Sequence, residues 1–169
     1  MSYTTIIHVF PGDKIECGKE LKNSWGSAPY VWDALIKKHI GAELNMMYRE
    51  ANELWDMWKR SDIPIHHRAP LMLTYDRVYV SKANYARMAE DIRKFLTEFD
   101  IPNVVNHWPA IAEFLESDPY IPGIGLWCTS VSENPFNGPW DEEKEKYLDP
   151  DWENIFEVYE QLDNFGGES

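Results

Sequence analysis

Two adjacent histidines followed by an arginine, His66, His67 and Arg68, are the residues whose types best suit catalysis or metal binding. Imidazole exchanges protons near neutral pH and ligates transition metals. Pro64 and Pro70 bracket the three residues, which predicts a loop. Neighbouring side chains of an extended segment point in opposite directions, so the pair cannot readily chelate one ion. We therefore interpret them as exposed loop histidines and expect no metal site there. His107 or an acid such as Asp62 or Asp76 could complete a site only if the fold brings it close.

An aromatic segment between residues 23 and 32 is the second place where a small ligand could bind. Trp25, Tyr30 and Trp32 stand among small and polar residues, and such rings stack on sugars or bases. Trp32 falls in a predicted helix, where packing into the core is the favoured interpretation. The two places together define an alternative function, a small-molecule-binding or hydrolytic site. Its candidate residues are Trp25, Tyr30, His66, His67 and Arg68.

No catalytic or cofactor motif is complete in the chain. The segment from Gly12 to Lys19 resembles a phosphate-binding loop, but five residues separate its two glycines where the motif has four. Glu20 also stands where a Ser or Thr should hold the metal. The Gly123-Ile124-Gly125 segment precedes a predicted strand, whereas a phosphate cradle precedes a helix. We therefore expect no cofactor, and an enzymatic function is not favoured.

The distribution of charge is the strongest functional signal. Residues 1–100 carry fourteen Lys and Arg against fourteen Asp and Glu, whereas residues 101–169 carry two lysines against fifteen acids. The whole net charge of −13 therefore belongs to the last 69 residues. Such segregation indicates an electrostatic partner surface, although an acidic face that only keeps the protein in solution is the simpler alternative.

The acidic residues between 141 and 160 are predicted to form this surface, with nearby aromatic residues as its apolar anchors. A helix predicted to begin at Asp149 would place Glu153, Glu157 and Glu160 on one exposed face. The candidate partner-binding residues are Asp141, Glu142, Glu143, Glu145, Asp149, Glu153, Glu157, Glu160, Trp140 and Tyr147.

The sign of the charge limits the class of partner. Phosphate binding depends on Lys and Arg, so neither nucleic acid nor an anionic membrane is an expected ligand. The favoured partner is a basic protein, of the kind that binds or processes nucleic acid. The chain is thus expected to inhibit or modulate such a protein, as DNA mimics, anti-defence proteins and toxin-immunity proteins do.

Cysteine usage and the N-terminal residues indicate a compartment. Cys17 and Cys128 fit no metal or disulfide framework, so we expect free, buried thiols in a reducing environment. The N-terminal residues show neither a basic leader nor a small-residue cleavage site. No apolar run approaches the roughly 20 residues of a membrane span. We therefore expect a cytoplasmic protein.

Local patterns predict the elements that must position these residues. A strand from Thr4 to Phe10 turns at Pro11-Gly12-Asp13 into a second arm that Gly18 ends. Further strands are predicted over 71–80, either as one long strand or as a hairpin folded at Tyr75-Asp76, and over 124–131. Helices are predicted from about Pro29 to His39 or Ile40, over 44–58, from a Ser81 cap to Phe99, over 109–115, and from Asp149 to Gly166.

The order of these elements lacks a strict strand–helix–strand repeat. We therefore predict a single α+β domain over residues 1–169, with a small, mostly antiparallel β-sheet packed against several amphipathic helices. Helical patterning continues through residue 100, so the boundary between the charge-balanced part, 1–100, and the acidic part, 101–169, is a change of surface within that domain.

Overall fold

A computed structural model of the chain describes residues 3–22, 26–41, 50–102, 106–128 and 133–166. The described residues form six α-helices and seven β-strands. The helices are α1 (Ala28–His39), α2 (Glu50–Asp56), α3 (Ile65–Leu73), α4 (Tyr85–Glu98), α5 (Trp108–Glu116) and α6 (Val158–Gly166). The strands are β1 (Tyr3–Phe10), β2 (Lys14–Lys22), β3 (Val78–Ser81), β4 (Gly123–Trp127), β5 (Trp140–Asp141), β6 (Lys146–Tyr147) and β7 (Phe156–Glu157).

Five strands form one sheet in the order β2-β1-β4-β3-β7. Its ladders are antiparallel except the last, in which β7 runs parallel to β3. Strands β5 and β6 form a separate antiparallel hairpin. This mostly antiparallel sheet and the helices confirm the predicted α+β class.

The helices cover one face of the sheet, where most of the core lies. Alternate strand residues, among them Ile6, Val80 and Leu126, share one buried cluster with residues from every helix. Helix α4, which lies within the helix predicted from Ser81 to Phe99, turns an apolar stripe into this cluster: Tyr85, Met88, Ala89, Ile92, Phe95 and Leu96. Amphipathic patterning therefore gave α4 its place against the sheet.

The opposite face of the sheet is covered by residues 133–155, here called the acidic cover. Phe136 and Ile155 pack there against Ile7 and Val9, with Trp152 at the margin. Gly125 of β4 makes this approach possible, since a Cβ at that position would lie 2.5 Å from Cζ of Phe136. A larger residue in the middle of β4 would push the ring off the sheet.

Two predicted elements before residue 81 are wrong in type. Residues 63–70 were expected to form a loop and 71–80 a strand, but α3 spans Ile65–Leu73 and only Val78–Ser81 is extended. Pro70 lies inside α3, which is almost wholly buried. Tertiary packing here outweighs the tendency of proline to end a helix.

Smaller differences concern where elements begin and end. Strand β2 continues beyond Gly18 to Lys22, and Ser81 precedes a short 3₁₀ turn, with α4 starting only at Tyr85. The predicted helix over 44–58 lies partly outside the described residues, which show α2 and a 3₁₀ turn at Met57–Lys59. Cys17 is exposed, so the expectation of a buried thiol is wrong for it.

The C-terminal region also departs from its predicted helix. The Asp149-Pro150-Asp151 motif precedes a 3₁₀ turn at Trp152–Asn154 and then β7, and α6 begins only at Val158. The backbone N–H of Phe156 donates to the carbonyl oxygen of Arg77 at 2.9 Å, which holds this segment on the sheet. A pairing with a residue nearly eighty positions away leaves no local sequence pattern.

The two edges of the sheet differ in length and in the placement of charge. At one edge, β2 exposes a row of charged side chains: Lys14, Glu16, Lys19, Glu20 and Lys22. At the other edge, β7 has two residues, of which Phe156 is exposed and Glu157 is buried. Within the described parts of the chain, no helix is long and apolar enough to cross a membrane.

Candidate functional site

The acidic hairpin, residues 140–149, carries the densest charge of the acidic cover. Trp140 pairs with Tyr147 and Asp141 with Lys146 across the two short strands. The carboxylate of Asp141 accepts the backbone N–H groups of Glu143 and Lys144 at 3.0 and 3.1 Å, which closes the turn. This side-chain-to-backbone turn leaves Glu142, Glu143 and Glu145 exposed to solvent.

An exposed aromatic pair lies among these carboxylates. The rings of Trp140 and Tyr147 meet edge to face, with centroids 5.0 Å apart and planes at 74°. Trp140 is 50% exposed and Tyr147 is 40% exposed, and the next residue, Leu148, is also exposed. The hairpin therefore presents an apolar patch within an acidic surround, the composition expected of a protein-binding surface.

The fold leaves the charge of the hairpin largely uncompensated. The acidic cover holds eight acids and two lysines, a net charge of −6. Among the residues that the structure describes, its one ion pair joins Lys144 to Asp141 at 3.9 Å.

Other acids of the last third are neutralised by bases from the first hundred residues. Asp163 pairs with Arg87, Glu116 with Arg93 and Asp118 with Lys82. Three acids of the last third outside the acidic cover are therefore compensated, whereas the cover keeps a net charge of −6.

Three predicted partner-binding acids do not share a helical face. Glu153 lies exposed in the 3₁₀ turn, Glu160 lies exposed in α6, and Glu157 is only 3% exposed in β7. The carboxylate of Glu157 accepts hydrogen bonds from the backbone N–H and hydroxyl of Ser81, from Asn84, and from the backbone N–H of Glu160. The prediction that Glu157 is a surface residue is therefore wrong, because it anchors β7 to the turn before α4.

A second arrangement, the histidine cluster, consists of His39, His66, His67 and Glu98. The first is the last residue of α1, the next two lie in α3, and Glu98 ends α4. Nε2 of His66 lies 3.4 Å from Oε1 of Glu98, and Nε2 of His67 hydrogen-bonds Oε2 of the same carboxylate. Nδ1 of His67 lies 2.9 Å from Nε2 of His39.

The helical conformation of α3 overturns the premise of diverging histidines. The rings of His66 and His67 lie 4.5 Å apart, and both reach Glu98. Sequence reasoning missed Glu98 and His39, which are separated from His67 by 31 and 28 residues. No local spacing signals a cluster assembled from three helices.

Burial and neighbouring charges set the protonation of the histidine cluster. Burial lowers the pKa of His67, and the hydrogen bond to Glu98 opposes that shift. The pKa of His39 is lowered by burial and by the charges of Arg60 and Lys38. Burial raises the pKa of Glu98, but the hydrogen bonds and charges of His67 and His66 outweigh it and leave the pKa below its ordinary value. These directions favour a charged Glu98 carboxylate beside neutral His39 and His67.

The remaining residues of the predicted ligand site do not join this cluster. Arg68 is buried, and its guanidinium donates to the carbonyl oxygens of Ile63 at 2.8 Å and Trp58 at 3.2 Å. Tyr30 lies about 13 Å along α1 from His39, at a rise of about 1.5 Å per residue, in a groove shared with Lys37 and Phe99. Trp25 lies outside the described residues.

Trp32 belongs to a separate aromatic pocket of about 400 Å³ with Trp55, Tyr75 and Asp76. Its indole N–H donates to the hydroxyl of Thr74 at 2.9 Å, and its ring meets that of Trp55 edge to face. Trp32 is therefore a half-buried side chain that packs against the core on one side and lines a pocket on the other.

Comparison of the chain with protein-family models, curated proteins and solved structures finds no significant match.

Proposed function

We propose that this protein binds a basic protein partner through the acidic hairpin and thereby inhibits a partner that binds or processes nucleic acid. One observation carries the proposal: the exposed Trp140–Tyr147 pair stands among carboxylates of the acidic cover, of which only Asp141 has an ion pair, with Lys144, within the described part of the chain. A face that served only solubility would need the charges but not the exposed rings.

The two components of the hairpin supply different parts of an interaction. Exposed carboxylates of one sign attract a basic surface over a Debye length of roughly 8 Å at physiological ionic strength and accelerate association. Partly exposed Trp and Tyr side chains lose water when a partner covers them, and such residues dominate binding energies in interfaces. Charge would therefore govern the rate of encounter and the aromatic pair the lifetime of the complex.

Nucleic-acid-binding proteins are the class of partner that best fits this surface. Their Lys and Arg side chains are placed to bind phosphates, and a carboxylate accepts the same charge-assisted hydrogen bonds. Glu142, Glu143 and Glu145 lie exposed on the tight turn that Asp141 closes, and they offer such acceptors. Binding at the phosphate-binding surface of the partner would exclude nucleic acid from it, so competitive inhibition is the expected mechanism.

The decisive experiment compares two variants with the same change in net charge. The hairpin variant carries Glu142→Lys, Glu143→Lys and Glu145→Lys, and the control variant carries Glu20→Lys, Glu53→Lys and Glu113→Lys, all at exposed positions. Tagged full-length protein captures partners from a lysate, and the captured protein is then purified for binding measurements. We expect the hairpin variant to lower the association rate constant by about 10- to 1,000-fold, and the control variant to bind as the original protein does.

Two further readouts test the mechanism. Trp140→Ala should increase the dissociation rate by an amount corresponding to about 2 kcal/mol or more. Added nucleic acid should compete with the protein for the captured partner, and raised salt should weaken both interactions. Equal binding by the hairpin and control variants, or a captured partner with no basic surface, would refute the proposal.

A further inference from the structure

We infer that His66, His67 and Glu98 form a binding site for one divalent transition-metal ion of the zinc class, with His39 as a positioning residue. This site is independent of the acidic hairpin. Three potential ligand atoms, one from each residue, lie within 4.8 Å of one another.

The spacing of these atoms is close to what a tetrahedral ion requires. Metal–ligand bonds of about 2.0–2.2 Å place neighbouring ligand atoms roughly 3.3 Å apart. Nε2 of His66 and Oε1 of Glu98 are 3.4 Å apart, which already matches that separation. Nε2 of His67 and Oε2 of Glu98 are closer than this, so a small rotation of the exposed carboxylate would admit the ion between them.

His39 holds the ring of His67 in the required orientation. Metal-bound histidines generally use their second ring nitrogen in a hydrogen bond that fixes the ring and its tautomer. Nδ1 of His67 faces Nε2 of His39 at 2.9 Å, which leaves Nε2 of His67 directed at Glu98. The ring of His67 is further confined by Phe99, with centroids 5.0 Å apart. The last residue of α1 and the residue that follows α4 therefore position one ligand.

The site is open to solvent, and the cations near it are paired with carboxylates, so they repel a bound metal ion only weakly. His66 and Glu98 border an open groove of about 450 Å³ that also contains Arg93 and Lys94. These cations are paired, Lys94 with Glu90 at 3.1 Å and Arg93 with Glu116 at 2.8 Å. Three protein ligands beside a groove leave room for water as a fourth ligand, the arrangement of catalytic rather than structural zinc sites.

The donor set selects the class of metal. Two imidazole nitrogens and one carboxylate suit zinc, cobalt, nickel or copper, whereas Mg²⁺ and Ca²⁺ require oxygen ligands. Excess Mg²⁺ should therefore not compete at this site, although it would occupy weak sites among the hairpin carboxylates.

The test titrates the chelator-treated full-length protein with Co²⁺ and then Zn²⁺ in the presence of millimolar Mg²⁺. We expect one equivalent of Co²⁺ to bind with the visible absorption of a nitrogen- and oxygen-ligated ion, and Zn²⁺ to displace it. Chemical shifts of the His66 and His67 ring nitrogens should move on binding. Both readouts are independent of any enzymatic activity.

Matched variants assign the ligands. Glu98→Gln and His66→Ala, at an exposed and a half-buried position, should each lower the affinity at least about tenfold. Glu160→Gln, at an exposed position of α6 that does not border this groove, should leave the affinity unchanged. His39→Leu should lower it by about 10- to 100-fold, and His39→Gln should restore part of the loss, because an amide oxygen can still accept a hydrogen bond.

Two results would overturn the inference. One is the absence of Co²⁺ or Zn²⁺ binding by the original protein. The other is binding by Glu98→Gln and His66→Ala at the original affinity, which would place the ion elsewhere. Circular dichroism of each variant establishes that its fold is retained, and Zn²⁺ should raise the melting temperature of the original protein and not that of Glu98→Gln.

Discussion

The two faces of the five-stranded sheet are covered in contrasting ways. On the helical face, 29 buried residues of the described parts of the chain form one cluster, and Glu116 of α5 and Asp163 of α6 pair with arginines of α4. On the opposite face, a cluster with four buried residues among those described joins the acidic cover to the sheet, and the cover has a net charge of −6. The same sheet therefore supports a layer built for stability and a layer that displays charge.

This contrast shows that a segment rich in like charges can be held on a sheet by a few apolar side chains, without dispersing the charges. Phe136 lies directly over Gly125, and Ile155 packs beside it, so the cover is fixed at its apolar points while its hairpin extends into solvent. Repulsion between the hairpin carboxylates is weakened by water, because exposed charges interact in a high dielectric. The acidic cover therefore retains its negative electrostatic potential at a modest cost in the free energy of folding.

The largest expected effects come from removing one phenylalanine from each layer. Phe95 and Phe136 are both fully buried. Phe95→Ala should lower the free energy of unfolding by about 3–5 kcal/mol. Phe136→Ala should lower the global value by less, because the acidic cover can detach while the sheet and helices stay folded. Urea unfolding gives the global values, and hydrogen exchange should show local opening confined to residues 133–155. Equal global losses would mean that both layers unfold as one unit.

Two acids of similar sequence position should differ in their effect on stability. Glu157→Ala removes a buried acceptor of four hydrogen bonds and should cost about 1–3 kcal/mol, whereas Glu160→Ala, at an exposed position, should change stability by no more than about 0.5 kcal/mol. Thermal unfolding of both variants measures the difference. A similar loss for both would place Glu157 on the surface, as its sequence pattern suggested.

The smallest effect concerns a buried acid of the helical layer, Asp91. Burial raises its pKa, and the hydroxyl of Tyr159, which donates to it at 2.5 Å, opposes that shift with smaller contributions from Arg87, Lys94 and His66. A carboxyl with a higher pKa in the folded state binds more protons there, so its contribution to stability is complete below the unfolded pKa and is lost as pH rises towards the folded pKa. Asp91→Asn should remove this dependence.

The measurement for Asp91 is the free energy of unfolding as a function of pH. Between the ordinary pKa of an aspartate, about 3.9, and the raised value, the slope for the original protein should be more negative than that for Asp91→Asn by at most about 1.36 kcal/mol per pH unit. Parallel curves for the two proteins would show that the carboxyl titrates normally.

The first sheet hairpin and most of the helices were predictable from the sequence because their signals are local. The β1–β2 hairpin follows from a β-branched run and a Pro-Gly turn, and the stripe of α4 from helical spacing. The exception is α3, where the internal Pro70 concealed a helix that is stabilised by burial on nearly every side. Proline lowers helix propensity locally, but it cannot report the packing that compensates for it.

The structures of the acidic cover and of the histidine cluster could not be predicted from the sequence. Composition predicted the acids of the hairpin, yet the Asp149-Pro150 motif favoured a helix where backbone pairing with Arg77 and Val78 produced a strand. Glu98 reaches His66 and His67 only because α3 and α4 pack together. Contacts between distant residues depend on the whole fold, and neither periodicity nor spacing records them.

The sheet edges also bear on how the protein behaves when it is concentrated. Exposed edges tend to recruit strands from other molecules, which starts aggregation. The row of alternating lysines and glutamates on β2 would force an added strand to match or bury five charges, and β7 is too short, with the carboxylate of Glu157 turned inward, to serve as a template. Both edges therefore resist intermolecular β-pairing, so the protein should remain monodisperse in crowded solution although it exposes Trp140 and Tyr147.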